Sequence, residues 1–245
     1  MTALILAAGV ASRMRPLTDT TPKCLLTLGE KTILQRTVDN LLANGIGRFV
    51  FVTGYLREQI EDFVANQWPG LDAVFIHNPV YDATNNIYSL WLAKDAVAGG
   101  DMLLLDSDIL FDHRIVGALL ASPYADCIAL NCAINVGEEE IKVRLDGDGR
   151  IREISKVVSV ADAVGESIGI ERFSAPFTAH LYEVLERMIV ADGRVDIFYE
   201  AAFEEVIREG RALYAVDISA YPCMELDTVE DLRRAEQELI PLLDC

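Results

Sequence analysis

No run of eighteen apolar residues occurs in this chain of 245 residues, although 51% of it is hydrophobic. A membrane-spanning helix is therefore not expected. The first residues carry no basic stretch followed by an apolar core and a cleavage site, so no secretion signal is read and the expected location is the cytoplasm. Cysteine is sparse: Cys24, Cys127, Cys132, Cys223 and Cys245 are odd in number, widely spaced and without a Cys-x-x-Cys pair. That usage fits reduced thiols. His77, His113 and His180 share no spacing, which argues against a histidine metal site or proton relay. Positive charge is scarce, with 21 Lys and Arg against 39 Asp and Glu, and the formal net charge of −18 argues against nucleic acid or an anionic membrane as partner. Internal repeats, low-complexity tracts and linkers are also missing. So are the two common phosphate-binding patterns, Gly-x-x-x-x-Gly-Lys-Ser/Thr and Gly-x-Gly-x-x-Gly.

What positive charge there is gathers near the start. Residues 1–29 hold three basic side chains (Arg13, Arg15, Lys23) and one acidic (Asp19), whereas residues 171–245 hold seven Arg against seventeen Asp and Glu. Leu4, Ile5 and Leu6 suit a buried parallel strand, and Ala7, Ala8 and Gly9 keep side chains small where a ligand approaches the backbone. The stretch reads as a strand that delivers backbone N–H groups and cations to a polyphosphate.

Behind it the chain alternates. Ile33, Leu34, Val38, Leu41 and Leu42 share a helical face closed by Asn44-Gly45, and an apolar run follows at Phe49–Val52. A second helix with Ile60, Phe63 and Val64 stops at Pro69-Gly70 before a strand at Ala73–Ile76. Ile87–Val97 has helical spacing, and Met102–Leu105 is an apolar strand ending at Asp106. Such alternation predicts an α/β fold with a doubly wound, mostly parallel, Rossmann-like sheet, whose ligand sites lie at the carboxyl ends of the strands. From about residue 126 the rhythm changes. Strands at Cys127–Ala133, Ile141–Leu145 and Ile151–Ile154, the last two joined by Asp146-Gly147-Asp148-Gly149, suggest a small antiparallel excursion. Helices over about 175–190 and 196–208, a strand at Leu213–Ile218 and a helix over about 227–239 complete the pattern.

Four further clusters each admit an ordinary structural reading. Asp106-Ser107-Asp108 follows a buried strand, where carboxylates suit either a hard divalent cation or a helix cap. Glu225-Leu226-Asp227-Thr228 reads as the N-terminus of the last helix. Asn85 to Leu90 reads as an Asn-capped amphipathic helix. Lys142 and Lys156 cannot be told by composition from solvated charges such as Arg144 or Arg150.

The opening stretch, LAAGVASR followed by RPLT and by Pro22-Lys23, resembles the signature of the nucleoside-diphospho-sugar pyrophosphorylase-like nucleotidyltransferases. There a strand runs into Leu-Ala-Ala-Gly-x-Gly-x-Arg, then Arg-Pro-Leu-Thr, then Pro-Lys. Ala11 departs from it, standing where the second loop glycine is usual. Asn-Asn-Ile-Tyr-Ser-Leu at 85–90 narrows the resemblance to the phosphocholine cytidylyltransferase branch, over essentially the whole chain. The resemblance implies one nucleotidyltransferase domain over 1–245, with a nucleotide-binding half of about 1–125 and an acceptor-binding half of about 126–245. It implies a Mg²⁺-dependent transfer of a nucleotidyl group, CMP from CTP, onto a small phosphate or phosphonate ester such as phosphocholine or 2-aminoethylphosphonate, with release of pyrophosphate. Sugar-1-phosphate or inositol-phosphate acceptors with CTP, UTP, dTTP or GTP remain the alternative, as does a non-catalytic regulatory subunit of this fold, and a homo-oligomer is left open. By the same resemblance, Leu6, Ala7, Ala8, Gly9, Arg13, Lys23, Asn86, Ser89 and Asp106 meet the nucleotide. Asp108 and Asp227 hold Mg²⁺. Lys142, Lys156, Glu166 and Gly169 meet the acceptor, and Arg13, Lys23 and Lys156 are the catalytic cations. A quaternary ammonium calls for an aromatic cage, yet the middle of the chain offers Val143 and Leu145 rather than tryptophan.

Overall fold

Thr2–Ala7 form β1, and all six residues are buried. A strand covered on both faces shows no polar alternation, which is why its sequence reads as one apolar run. The computed structural model describes residues 1–133 and 137–243, so Cys245 lies outside the described residues. A short hairpin of β2 (Thr27–Leu28) and β3 (Lys31–Thr32) leads into α1 (Ile33–Ala43), whose N-terminus Thr32 caps by accepting the Gln35 N–H. Next come β4 (Arg48–Thr53), α2 (Arg57–Gln67), β5 (Asp72–His77), α3 (Asn86–Leu92), α4 (Lys94–Val97), β6 (Met102–Asp106), β7 (Ile109–Phe111) and α5 (Arg114–Ala121). The second half adds β8 (Cys127–Asn131), β9 (Lys142–Leu145), β10 (Ile151–Ser155), β11 (Gly165–Phe173), α6 (Ala175–Glu186), α7 (Glu200–Arg208), β12 (Tyr214–Asp217), β13 (Cys223–Glu225), α8 (Val229–Arg234) and α9 (Ile240–Leu243).

The main sheet runs β10-β9-β11-β6-β1-β4-β5, with β8 joining β11 to β12. Strands β6, β1, β4 and β5 are mutually parallel, whereas β11 runs antiparallel to β6, β8 and β9. Alternate residues of the parallel strands enter different cores. Leu4, Leu6, Val50 and Leu104 pack with Ile87, Leu90, Leu181 and Phe203, while Ile5, Phe49, Phe51 and Leu105 pack with Leu34, Val38, Ile60 and Ile115. Helices therefore cover both faces, and the doubly wound, mainly parallel sheet expected from the sequence is present.

Several boundaries differ from the sequence reading. The helix expected over Ile87–Val97 ends at Leu92, and α4 follows after Ala93. The helix expected from 196 begins at Glu200, and the one expected from 227 begins at Val229 behind a complete capping box between Thr228 and Asp231. The longest strand, β11, has no counterpart in the sequence pattern, and neither do β7, β13 or α5.

Candidate active site

The sharp turn after β1 is made by Ala11, which holds φ 50 and ψ 51. The strain of a left-handed alanine is met locally: its carbonyl accepts from Thr18 Oγ1 at 2.9 Å and from the Met14 N–H at 3.0 Å. The loop thus turns without the usual glycine, and Arg13 and Lys23 project from it. Arg13 Nη2 donates to Asp227 Oδ2 at 2.7 Å. Lys23 Nζ bridges two carboxylates, donating to Asp108 Oδ2 at 2.8 Å and Asp227 Oδ1 at 3.1 Å. Burial opposes the ammonium, but Asp108 and Asp227 outweigh it and hold the Lys23 pKa above the ordinary value.

Asp108 and Asp227 are brought together by a two-stranded ladder. Strand β13 pairs antiparallel with β7, opposing Glu225 to Ile109, and the Leu226 N–H donates to the Asp108 carbonyl at 3.0 Å. The ladder also delivers a third carboxylate that the sequence reading did not assign, Glu225. Asp108, Glu225 and Asp227 each place an oxygen within 4.8 Å of the others'. Desolvation first, then the neighbouring Asp108 and Asp227, push the Glu225 carboxyl up to about 8. Three hard oxygen donors crowded in this way fit a divalent cation of the Mg²⁺ type.

These groups open onto a cavity of about 420 Å³ lined by both ends of the expected site. Leu6, Ala7, Ala8, Gly9, Arg13, Lys23, Asn86, Ser89, Asp106 and Asp108 line it, as do Lys156, Glu166, Gly169 and Asp227. Asn86 also ties the far wall to α3, since its Oδ1 accepts from the Tyr199 N–H at 2.9 Å, and Ser89 Oγ accepts from buried Asn78 at 3.1 Å. Lys156 lies 4.7 Å from the centre of the Phe198 ring and 3.7 Å from Glu139. Desolvation, then Glu140, push Glu166 up to about 7.

Lys142 is turned elsewhere. It is fully buried, and its ammonium donates to the carbonyls of Gly137, Glu138 and Glu140 at 3.1, 2.9 and 3.3 Å. All three donors of the ammonium are used, so the structure gives Lys142 a backbone-holding place rather than the acceptor contact expected from the sequence.

Gly169 explains itself: β11 bulges between Ser167 and Glu171, Gly169 takes φ +71, and a Cβ there would lie 2.7 Å from Asp106 Oδ2. Beneath Asp106 is a buried group that sequence reasoning missed. Tyr199 donates to Asp106 Oδ2 at 2.9 Å, with Glu171 and Glu200 alongside. Burial first, then Asp108 and Glu200, raise Asp106 well above the carboxylate range. Burial raises Glu200 to about 7, and both backbone donation and Lys156 oppose it. An acidic residue in the first turn of a helix reads as ordinary dipole chemistry, so Glu200 gave no signal.

Residues 3–139 match the MobA-like NTP transferase domain. The chain belongs to that family. This NTP transferase is 27% identical over 241 residues to the choline-phosphate cytidylyltransferase of Streptococcus pneumoniae, covering 98% of each chain. It is also 27% identical over 247 residues to the 2-aminoethylphosphonate cytidylyltransferase of Lancefieldella rimae, covering 98% of this chain and 94% of that one. Among solved structures, a CTP:phosphocholine cytidylyltransferase from Streptococcus pneumoniae superposes with a TM-score of 0.79 at 24% identity, over 97% of this chain and 98% of that one. The NTP transferase is thus a nucleotidyltransferase in fold and family. No helix among its described residues is long and apolar enough to cross a membrane.

Proposed function

We propose that this nucleotidyltransferase moves CMP from CTP onto a small phosphate or phosphonate ester and releases pyrophosphate, with Mg²⁺ held by Asp108, Asp227 and Glu225. The observation that carries the reading is the Lys23 bridge: an ammonium from the phosphate loop set on two carboxylates that the β7–β13 ladder brings to it. Bound there, Mg²⁺ supplies charge neutralisation to the triphosphate. Lys23 faces the reacting α-phosphate, and Arg13 takes the β- and γ-phosphates as their charge develops. Lys156 draws in the acceptor, whose oxygen is already ionised near neutral pH. No general base is then needed. The acceptor oxygen forms its bond to the α-phosphorus as the bond to the bridging oxygen breaks, and the electron pair leaves with pyrophosphate. CTP as donor is supported by the named activities of the relatives above, and a small charged acceptor by the carboxylate-lined far wall.

Pyrophosphate release from each NTP with a panel of phosphorylated and phosphonate acceptors tests the reading. CTP with a small phosphonate or phosphate ester is expected to dominate, and a clear preference for UTP or dTTP with hexose-1-phosphates would overturn it. Lys23→Ala is expected to lower turnover by about 10²- to 10³-fold while changing NTP affinity far less.

A further inference from the structure

The turn between β4 and α2 is more constrained than a connection of three residues requires. Gly54 is buried, and a Cβ there would meet the Ala8 carbonyl oxygen at 2.7 Å and Tyr81 Cβ at 2.8 Å, so the end of β4 lies directly against the phosphate loop. Leu56 holds φ 49 and ψ 38, a left-handed backbone that a leucine keeps only where its surroundings enforce it. Tyr55, between them, meets the loop twice. Its N–H donates to the Ala8 carbonyl at 3.1 Å, and its hydroxyl lies 3.0 Å from the Thr18 carbonyl and 2.9 Å from that of Asp19, one proton shared by two acceptors. One helical turn on, Gln59 Nε2 donates to the Thr20 carbonyl at 2.9 Å. Inside the loop, fully buried Thr18 closes back onto the Ala11 carbonyl at 2.9 Å. Ala8 and Thr18–Thr20 bound the segment that carries Arg13, and Lys23 follows three residues later. The start of α2 thus holds the phosphate loop at both ends from outside, and neither Tyr55 nor Gln59 lines the cavity. Polar side chains in a first helical turn are ordinarily solvated, which does not account for two of them converging on three consecutive carbonyls of one loop.

Resting on the reading above, we propose that Tyr55 and Gln59 are positioning residues for nucleotidyl transfer: they fix the phosphate loop at the cavity and so set Arg13 against the β- and γ-phosphates. A cation stabilises charge developing on the leaving pyrophosphate only if it already stands where that charge appears. The Arg13 side chain is 66% exposed and reaches across to Asp227, so its own contact does not anchor the backbone beneath it. The bonds to Ala8, Thr18, Asp19 and Thr20 do. The effect of releasing them is selective. A nucleotide without β- and γ-phosphates does not depend on the place of Arg13, and neither does the acceptor on the other side of the reacting phosphorus.

The test compares the 245-residue protein with its Tyr55→Phe, Gln59→Leu and doubly substituted variants. Binding of CTP and of CMP is measured by calorimetry with Mg²⁺ and no acceptor, and pyrophosphate release is followed with the acceptor that the parent uses fastest. Tyr55→Phe removes only the hydroxyl and keeps the ring beside Tyr81, so the fold should persist. We expect it to weaken CTP binding by about 10-fold, with a smaller loss for the exposed Gln59→Leu, while CMP binding and the KM of the acceptor stay within about 2-fold of the parent. Gln59→Lys keeps a donor within reach of Thr20 and should bind CTP more tightly than Gln59→Leu. Tyr182→Phe is the structural control: it deletes a buried hydroxyl that donates to the Leu90 carbonyl at 3.0 Å, and should lower Tm without changing the ratio of CTP to CMP affinity. Parent-like CTP affinity in the double variant, or equal losses for CTP and CMP, overturns the inference while leaving the transfer reaction in place. A parent that neither binds nor turns over any NTP overturns both.

Discussion

Ala11 sits at φ 50, where a side chain costs about 1 kcal/mol that glycine would not incur. Ala11→Gly is therefore expected to stabilise the protein by about 0.5–1 kcal/mol, a rise in Tm of about 1–4 °C for a chain of this size. Differential scanning calorimetry checks it, and a fall in Tm would mean that Thr18 and Met14 already pay off the strain. Glu200 makes a prediction of opposite kind. Burial lifts its pKa from 4.5 to about 7, so between those values the folded protein keeps a proton that the unfolded chain has released. Stability from this group therefore falls as pH rises from about 4.5 to about 7, by at most about 3 kcal/mol, and stays low above. Glu200→Gln should flatten that slope and raise Tm at pH 8, measured by melts across pH 5–8. At this scale the sequence was legible where charge stood against expectation. Arg13, Lys23 and Asp108 could be picked out because cations are rare and a carboxylate after a buried strand is costly. Lys142 and Glu200 could not, because a lysine in a strand and an acid in a first helical turn look like surface residues until their burial is seen.

Among the elements, β1, β4 and β6 announced themselves, since strands covered on both faces must be apolar throughout. Strand β11 did not. Its nine residues, Gly165–Phe173, include two glycines, two glutamates, a serine and an arginine, because the strand serves the cavity on one side and the buried Tyr199 group on the other. Its bulge is where fold and site meet. Gly169→Ala would force a Cβ to within 2.7 Å of Asp106 Oδ2 at φ +71. We expect a loss of about 1–3 kcal/mol in denaturant melts together with a drop in turnover, whereas a silent substitution would show that the bulge can relax. The ladder of β7 and β13 was equally hidden. Each strand has three residues, too few for a period to register, so the sequence could name Asp108 and Asp227 as partners only through the family signature.

Over the whole molecule the formal net charge is −18, and the described residues place an oxygen each of Asp108, Glu225 and Asp227 within 4.8 Å of one another. A ligand that binds the folded form and not the unfolded one stabilises it. We therefore expect Mg²⁺ to raise the Tm of the nucleotide-free protein beyond the effect of NaCl at equal ionic strength, and Asp227→Asn to lose that increment. An equal response to both salts would leave only general screening. Order along the chain has a further consequence. Lys23 and the Asp227 that it grips lie 204 residues apart, and Asp227 follows the last strand, β13. On the ribosome the phosphate loop emerges long before that carboxylate does, so a growing chain can form its parallel strands and still lack a complete centre. On the proposed assignment of the centre, nucleotide turnover waits until β13 has been made and has closed onto β7.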